Sequence, residues 1–244
     1  MEKPKYIRKG LLKMLDNIDY GSVATETPSV ILPYEITEEF YVEDLGEIKK
    51  KICYSFFKRV FDIIASVIAL IVLFIPMLIL AIAIKCVSKG PAFFSQDRLG
   101  LNGKEIRIIK FRTMHVDAEA NGAQWSMGDD DERIFSLGRV LRKCRADELP
   151  QLWCILKGDM SFVGPRPERE CFHNEFEKYI HGFSERLKVK QGLTGYAQVM
   201  GGYDLKPEEK ILYDVEYIKR RSLLLDIKII LKTIGVVIKH EGAK

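Results

Sequence analysis

The chain has 244 residues, enough to bury a sizeable core in one domain, or in one domain with an appendage. Its formal charge of +4 is too modest to point to nucleic acid as a partner. The five cysteines (Cys53, Cys86, Cys144, Cys154 and Cys171) form no C-x-x-C pair, and the first fifty residues are polar and mixed rather than leader-like. Free thiols in a reducing cytoplasm are therefore expected, and a structural zinc is not.

Residues 1–50 read as an accessory arm. Lys3 to Lys13 is basic, with Leu11, Leu12, Met14 and Leu15 offering a short amphipathic turn. From Met14 to Ile48 there are nine acidic residues and no Lys or Arg, and Pro28 and Pro33 interrupt any long helix. Such a segment is more often a solvated arm than a catalytic unit. Its apolar residues Val30, Ile31, Leu32, Tyr34, Phe40 and Tyr41 could dock on the main body or on a second copy.

Ile63 to Ile84 is a run of 22 residues without charge, interrupted by Ser66 and Pro76. As a straight helix it would reach about 33 Å, enough to span a bilayer core. An apolar run of this length on every face points to a membrane segment rather than a buried core helix. Lys58 and Arg59 precede it and Lys85 and Lys89 follow it, so charge sets no inside–outside direction. Pro76 removes a backbone donor and crowds the carbonyl of Val72, which predicts a kink. A kinked helix entering and leaving by one face fits both features; a tilted, kinked spanning helix is the alternative.

After Gly90-Pro91, Ala92–Gln96 and Lys104–Thr113 read as two strands around the turn L-N-G-K, a hairpin signal. The second ends in K-F-R-T-M, which puts Lys110 and Arg112 on one side of an extended chain. Two cations there fit an anion site or an edge-strand guard. Residues 115–132 read as loop. Gly128-Asp129-Asp130-Asp131 resembles a metal-chelating acid cluster, but acids just ahead of the apolar-periodic Ile134–Leu141 are better explained as cap and first-turn charge.

Arg142 to Glu168 carries the densest chemistry. Arg142 and Arg145 precede the adjacent carboxylates Asp147 and Glu148; Pro150 follows, and the apolar run after it stops at Gly158. Proline is tolerated only in the first turn of a helix, so the two carboxylates are expected at or just before a helix N-terminus. Anions are favoured there, which leaves two readings open: a capped surface helix, or a phosphate site. A rigid Pro165-Arg166-Pro167 turn comes next. Glu170–Lys188 reads as a charged helix with Phe172, Phe176, Tyr179 and Ile180 as its apolar positions. His173 and His181 lie two turns apart, too far along a helix to share a metal, and are expected at the surface. Gly192, Gly195, Gly201 and Gly202 would permit close backbone approach to a ligand, or mark a turn-rich linker. Pro207 opens a helix to about Arg221 that carries Tyr213, Asp214 and Tyr217. Leu223–Ile238, with Lys228 and Lys232, reads as a basic amphipathic helix for a membrane interface or for packing on the core.

Taken together, these pieces resemble the bacterial sugar transferase family, the monotopic phosphoglycosyl transferases acting on polyprenyl phosphate. The resemblance covers roughly residues 51–240 and rests on K-R-V-F-D, K-F-R-T-M, D-E-L-P-Q, L-K-G-D-M-S-F-V-G-P-R-P, G-L-T-G-Y-A-Q-V and Y-D-x-x-Y-I before S-L-L-L-D-I-K-I-I. It implies an α+β fold, mostly helical with a small β-hairpin, one N-terminal re-entrant membrane helix and interfacial amphipathic helices. Residues 1–50 would be the arm, 51–90 the membrane-inserted helix and 91–244 the catalytic domain on the cytoplasmic side of a bacterial inner membrane. The implied reaction moves a hexose 1-phosphate from a UDP-sugar to polyprenyl phosphate and releases UMP, with Mg2+, as a first membrane step of glycoconjugate assembly.

The resemblance also implies roles. Asp147 would be the nucleophile that forms an aspartyl phosphosugar, and Glu148 a Mg2+ ligand beside it. Arg142 and Arg166 would clamp phosphate oxygens. Lys110, Arg112, Gly195, Tyr196, Gln198, Asp214 and Tyr217 are weaker substrate contacts. Two departures stand out: the family usually has Ser where Ile75 precedes Pro76, and often Ser-Leu where Arg145-Ala146 precedes Asp147. The larger members carry N-terminal membrane helices, and residues 1–50 stand in their place here. Two competing readings are a membrane-anchored scaffold and a UDP-releasing glycosyltransferase built on Asp129–Asp131. The sugar is not readable from the sequence, and oligomeric state, a homodimer included, is left open.

Overall fold

A computed structural model describes residues 39–120, 131–201 and 205–239. The basic segment Lys3–Lys13, the apolar residues Val30–Tyr34, the acids Asp129 and Asp130, and Gly202 lie outside them. In chain order the elements are β1 (Phe40–Tyr41), α1 (Ile52–Val87), β2 (Phe93–Leu99), β3 (Glu105–Phe111), α2 (Ser136–Lys143), α3 (Gln151–Lys157), β4 (Ser161–Val163) and α4 (Glu170–Glu177). They continue with β5 (Ile180–His181), β6 (Gly192–Thr194), α5 (Tyr196–Gly201), α6 (Pro207–Arg220) and α7 (Leu223–Lys239). The fold is mostly helical, as expected, and among the described residues its strands pair in twos.

The apolar run becomes α1, 36 residues long. At about 1.5 Å per residue such a helix is longer than a bilayer core is thick. Only one stripe of it packs on the body: Tyr54, Lys58, Asp62, Ser66, Leu70, Leu73, Met77, Ala81 and Ile84 are buried or half-buried at spacings of three and four. The opposite face, including Phe56, Phe57, Ile64, Ile68, Ile71, Val72, Phe74 and Ile79, is exposed. α1 stays one helix through Pro76 rather than separating into two there. Leu73 and Met77 pack into the cores on either side of the proline and splint the weakened turn.

Polar ties hold α1 at both ends. Near its start, Lys58 Nζ donates to Asp226 Oδ2 of α7 at 2.8 Å, and Arg59 donates to the carbonyls of Ile155 and Leu156 at 2.7 Å each. Those carbonyls close the C-terminus of α3, where a cation also meets the negative end of the helix dipole. Asp62 accepts the backbone N–H of Phe162 at 3.1 Å. At the far end, Ser88 is bonded by Arg112.

β2 and β3 form the expected hairpin, in register from Phe93 opposite Phe111 to Leu99 opposite Glu105. Asn102 and Gly103 turn the chain with positive φ of 54° and 75°, the conformation that an Asn-Gly pair adopts readily. Two parallel pairs join it, β1 with β5 and β4 with β6. Strands of two or three residues carry no readable alternation, so the sequence did not reveal them. The β1–β5 pair docks the end of the arm on the main body, where Phe40, Val42 and Leu45 pack against Phe172, Phe176, Ile180 and Ile211. The helix expected over Glu170–Lys188 stops at Glu177, because Gly182 turns at φ +90° and the chain re-enters as a 3-10 turn over Phe183–Lys188. His173 is buried, against expectation, with its ring 5.2 Å from that of Phe183; His181 is exposed.

Three glycines make the joint between β4 and β6. A Cβ on Gly192 would lie 2.1 Å from Gly164 N, and one on Gly195 would lie 2.4 Å from Gly164 O. The close approach at these glycines is between two backbones. Gly192 N–H donates to Pro165 O at 2.8 Å and Gly164 N–H to Thr194 O at 2.9 Å, which fixes the start of the Pro165-Arg166-Pro167 turn. Gly192→Ala should cost about 3 kcal/mol, the upper end of overpacking penalties, since backbone on both sides cannot yield. A urea midpoint equal to wild type, measured in detergent, would show that the joint can open.

Candidate active site

The carboxylate pair sits in a single 3-10 turn, Ala146–Glu148, between α2 and α3. Arg145 enters that turn in the left-handed region at φ +54°, an unusual conformation for a residue with a side chain. Pro150 then caps α3, as the proline rule anticipated. A 3-10 turn advances about 120° per residue, so adjacent side chains diverge. Asp147 and Glu148 are both buried, and their surroundings differ.

Glu148 is surrounded by cations. Arg166 donates to both of its oxygens, Nη1 to Oε2 at 3.3 Å and Nη2 to Oε1, and Lys110 Nζ reaches Oε1 at 3.1 Å. Burial alone would raise its pKa, but Arg166 and Lys110 outweigh burial and hold the carboxyl well below the usual range. Asp147 accepts no hydrogen bond among the described residues. Burial, reinforced by the charge of Glu148, pushes it up to about 6, against the pull of Lys110, Arg142 and Arg166. Burial also lowers the pKa of Lys110, with Glu148 opposing. Thus one carboxylate is committed to holding cations, and the other is more basic and accepts no hydrogen bond among the described residues.

The cations come from separate elements. Lys110 lies near the end of β3, Arg166 on the proline turn, and Arg142 in the last turn of α2, where its Nε donates to Thr113 Oγ1 at 3.0 Å. A second layer, missed by sequence reading, holds the proline turn from behind. Arg98 Nη1 donates to Pro167 O at 3.3 Å, and Arg186 Nη2 donates to Arg166 O at 2.9 Å. Arg186 also lies 2.9 Å from Asp214 Oδ2, an ion pair rather than an aligned hydrogen bond. Hairpin register was the available clue to Arg98: it lies opposite Ile106 and so shares a face with Lys110.

Several of the weaker candidates for substrate contact have partners within the protein. Arg112 is buried and ties the end of α1 to β3, donating to Pro91 O at 2.6 Å, Ser88 Oγ at 2.7 Å and Ser88 O at 2.9 Å. It lies just past β3, so strand alternation with Lys110 does not extend to it. Asp214 is fully buried against Arg186, and burial raises its carboxyl to about 6 although Arg186 opposes this. Tyr217 is buried too, donating to Asp226 Oδ1 at 2.9 Å. Tyr196 packs edge-on against Tyr213 at 5.8 Å, and Gln198 Nε2 reaches Leu193 O at 3.5 Å. Asp131, the described member of the acid triplet, is salt-bridged to Arg133 at 2.6 Å and accepts its backbone N–H. Among the described residues no three His, Cys, Asp or Glu side chains assemble as a metal site. Two adjacent carboxylates do fit Mg2+, which is commonly held by one or two carboxylates together with substrate phosphates.

The geometry defines a class: an anion-handling site beside a helix apolar and long enough to cross a membrane. The model of the bacterial sugar transferase family matches residues 53–240, and the chain belongs to that family. Among curated relatives, the UDP-N-acetylgalactosamine-undecaprenyl-phosphate N-acetylgalactosaminephosphotransferase of Aeromonas hydrophila is 43% identical over 85% of this chain and 49% of its own length. The UDP-glucose:undecaprenyl-phosphate glucose-1-phosphate transferase of Xanthomonas campestris pv. campestris is 42% identical over 76% of this chain and 40% of its own. Its namesake in Caulobacter vibrioides is 42% identical over 76% of this chain and 71% of its own. The chain thus spans about half the length, or less, of the first two relatives.

Asp214→Asn keeps the side-chain shape but strips buried Arg186 of its nearer counter-charge, leaving Glu168 at 3.9 Å. Removing one partner of a buried ion pair costs about 3–5 kcal/mol, so a marked drop in the urea midpoint is expected. Wild-type stability together with weakened UDP-sugar affinity would return Asp214 to the substrate side.

Proposed function

We propose that this chain transfers a sugar 1-phosphate from a UDP-sugar to a polyprenyl phosphate and releases UMP. The observation that carries the reading is the split carboxylate pair: Glu148 bonded by Lys110 and Arg166, and Asp147 beside it without a hydrogen bond among the described residues. The names of the Aeromonas, Xanthomonas and Caulobacter relatives specify this class of reaction but disagree on the sugar, so the hexose is left unspecified.

In the first half-reaction an Asp147 oxygen attacks the sugar-linked phosphorus. The bond from that phosphorus to the bridging oxygen breaks, and UMP leaves with the electron pair. A carboxylate approaching a pyrophosphate meets like charge, so the step needs cations already in place. Lys110, Arg142 and Arg166 supply them, and Glu148 keeps two of them ordered before substrate arrives. A basic Asp147 is the better nucleophile of the pair, because Lys110 and Arg166 hold Glu148 and depress its basicity. In the second half-reaction a phosphate oxygen of the lipid attacks the same phosphorus and Asp147 departs as carboxylate. Mg2+, held by Asp147 or Glu148 with the nucleotide, would draw charge from the pyrophosphate oxygens.

The lipid reading is supported by α1. A helix whose polar ties to one body lie at both of its ends, through Lys58 and through Ser88, fits a helix lying along that body in one leaflet. A spanning helix would carry one end away from the body. The proposed topology places both ends on the cytoplasmic face, with α7 at the interface: its Leu224, Ile227, Leu231 and Ile234 are exposed.

Incubation with UDP-sugars one at a time should release UMP, whereas UDP as product would reject the mechanism. Asp147→Asn should abolish turnover while the protein stays folded. Because Asp147 must be ionised to attack, kcat/KM should fall as pH drops through about 6, the region to which burial pushes that carboxyl. An acid limb near the ordinary carboxylate value of 3.8 would remove this role from Asp147. For topology, native Cys53 and Cys86 lie one residue inside either end of α1 and are both exposed. With the other cysteines replaced, both should label with an impermeant maleimide from the same side of the membrane. Labelling from opposite sides would establish a spanning helix.

A further inference from the structure

Among the described residues, most buried polar atoms without a partner belong to side chains that are bonded at another atom. Gln191 donates through Nε2 to Arg186 O at 3.1 Å, Arg186 through Nη2 to Arg166 O at 2.9 Å, and His173 Nε2 lies 3.1 Å from Ser184 Oγ. Gln151 differs. It is 2% exposed, its Nε2 is buried without a partner, and neither end of its amide is hydrogen-bonded among the described residues. Leaving a buried donor unpaired costs stability, a cost that methionine at this position would avoid.

The carboxylate turn sets the place of this side chain. Gln151 follows Glu148 by three residues and Asp147 by four. Leu149 and Pro150 between them are helical, with φ and ψ of −54° and −37° and of −61° and −18°. Residues three and four apart on a helix share a face, and side chains lean toward its N-terminal end. The amide is thus carried toward the carboxylate pair rather than along α3. The cations around Asp147 already donate to other groups, Lys110 and Arg166 to Glu148 and Arg142 to Thr113. An amide whose task was to orient Asp147 would be bonded to it, and this one is not.

We infer that Gln151 is a further catalytic residue, donating an amide N–H to a non-bridging oxygen of the phosphoryl group that Asp147 takes up. The inference rests on the phosphoglycosyl transfer reading above. No covalent bond to Gln151 forms or breaks; the amide meets charge on the phosphoryl oxygens in both half-reactions. A neutral donor suits the position. A third cation four residues from Asp147 would pair with its carboxylate and make it less basic, whereas an amide brings no charge.

Gln151→Met keeps the length and helix preference of the side chain and removes the donor. In the full chain in detergent, kcat and kcat/KM should fall together by about 100-fold, with KM for the UDP-sugar little changed. The urea midpoint should stay at or above that of wild type, because a buried unpaired amide is gone. UMP release from UDP-sugar without acceptor should slow to a similar degree, since the same phosphoryl group is transferred. A glutamine that is structural, or satisfied by buried water, would instead lose stability on this change, so a falling midpoint overturns the proposal. A raised KM with kcat unchanged overturns it as well, because the amide would then act in binding alone. The wild-type chain separates the two levels. If it releases UMP from UDP-sugar alone and Gln151→Met does so at the same rate, only the role of Gln151 fails; if wild type releases none, the transfer reading fails and this role with it.

Discussion

The arrangement depends on one interaction, the carboxylate of Glu148 held between Lys110 and Arg166. These three groups come from β3, from the turn before α3 and from the proline turn after β4. Each is costly to bury alone, and each is tolerable beside the others. The cluster therefore ties three segments together and brings the cations around a second carboxylate, Asp147, that shares none of their hydrogen bonds. Without Glu148, Lys110 and Arg166 would repel one another in a partly dry site. Without the cations, two adjacent buried carboxylates could not both ionise.

Much of the remaining structure serves to keep that cluster in place. Arg98 and Arg186 hold the carbonyls of the proline turn, and Asp214 balances Arg186. The Gly164–Gly192–Gly195 joint fixes the backbone one step earlier. α1 braces the other side, through Arg59 on the end of α3 and through Ser88 on Arg112. A long apolar helix thus does two things: it presents hydrocarbon outward and splints the polar site inward. In the proposed reaction the same body would receive a water-soluble nucleotide and a membrane-soluble phosphate.

Hydrophobic period and special residues made a good part of this legible. Twenty-two uncharged residues could only be a long apolar helix, Asn102-Gly103 located the hairpin, and Pro150 located the start of α3. The carboxylate pair could be placed at a helix start because proline has so few permitted positions. Side chains whose role is set by distant partners were less readable. Arg112 and Lys110 are two residues apart, yet one braces α1 and the other faces Glu148. Asp214 and Tyr217, weaker candidates for substrate contact, are buried and paired with Arg186 and Asp226. The glycine-rich loop, open to reading as a ligand approach or a turn-rich linker, packs closely against a second backbone.

What the sequence determined by itself was local: which segments are helical, where they begin and stop, and which residues carry chemistry able to handle phosphate. Steric limits on proline and glycine and the period of apolar residues act within a few positions, so they survive in one dimension. Only the tertiary structure decided which carboxylate is free and which is neutralised, which arginines face the site and which stand behind it, and how α1 lies against the body. Those are questions of burial and of charge pairing between segments far apart in the chain. The energies involved arise only when water is excluded from both partners at once.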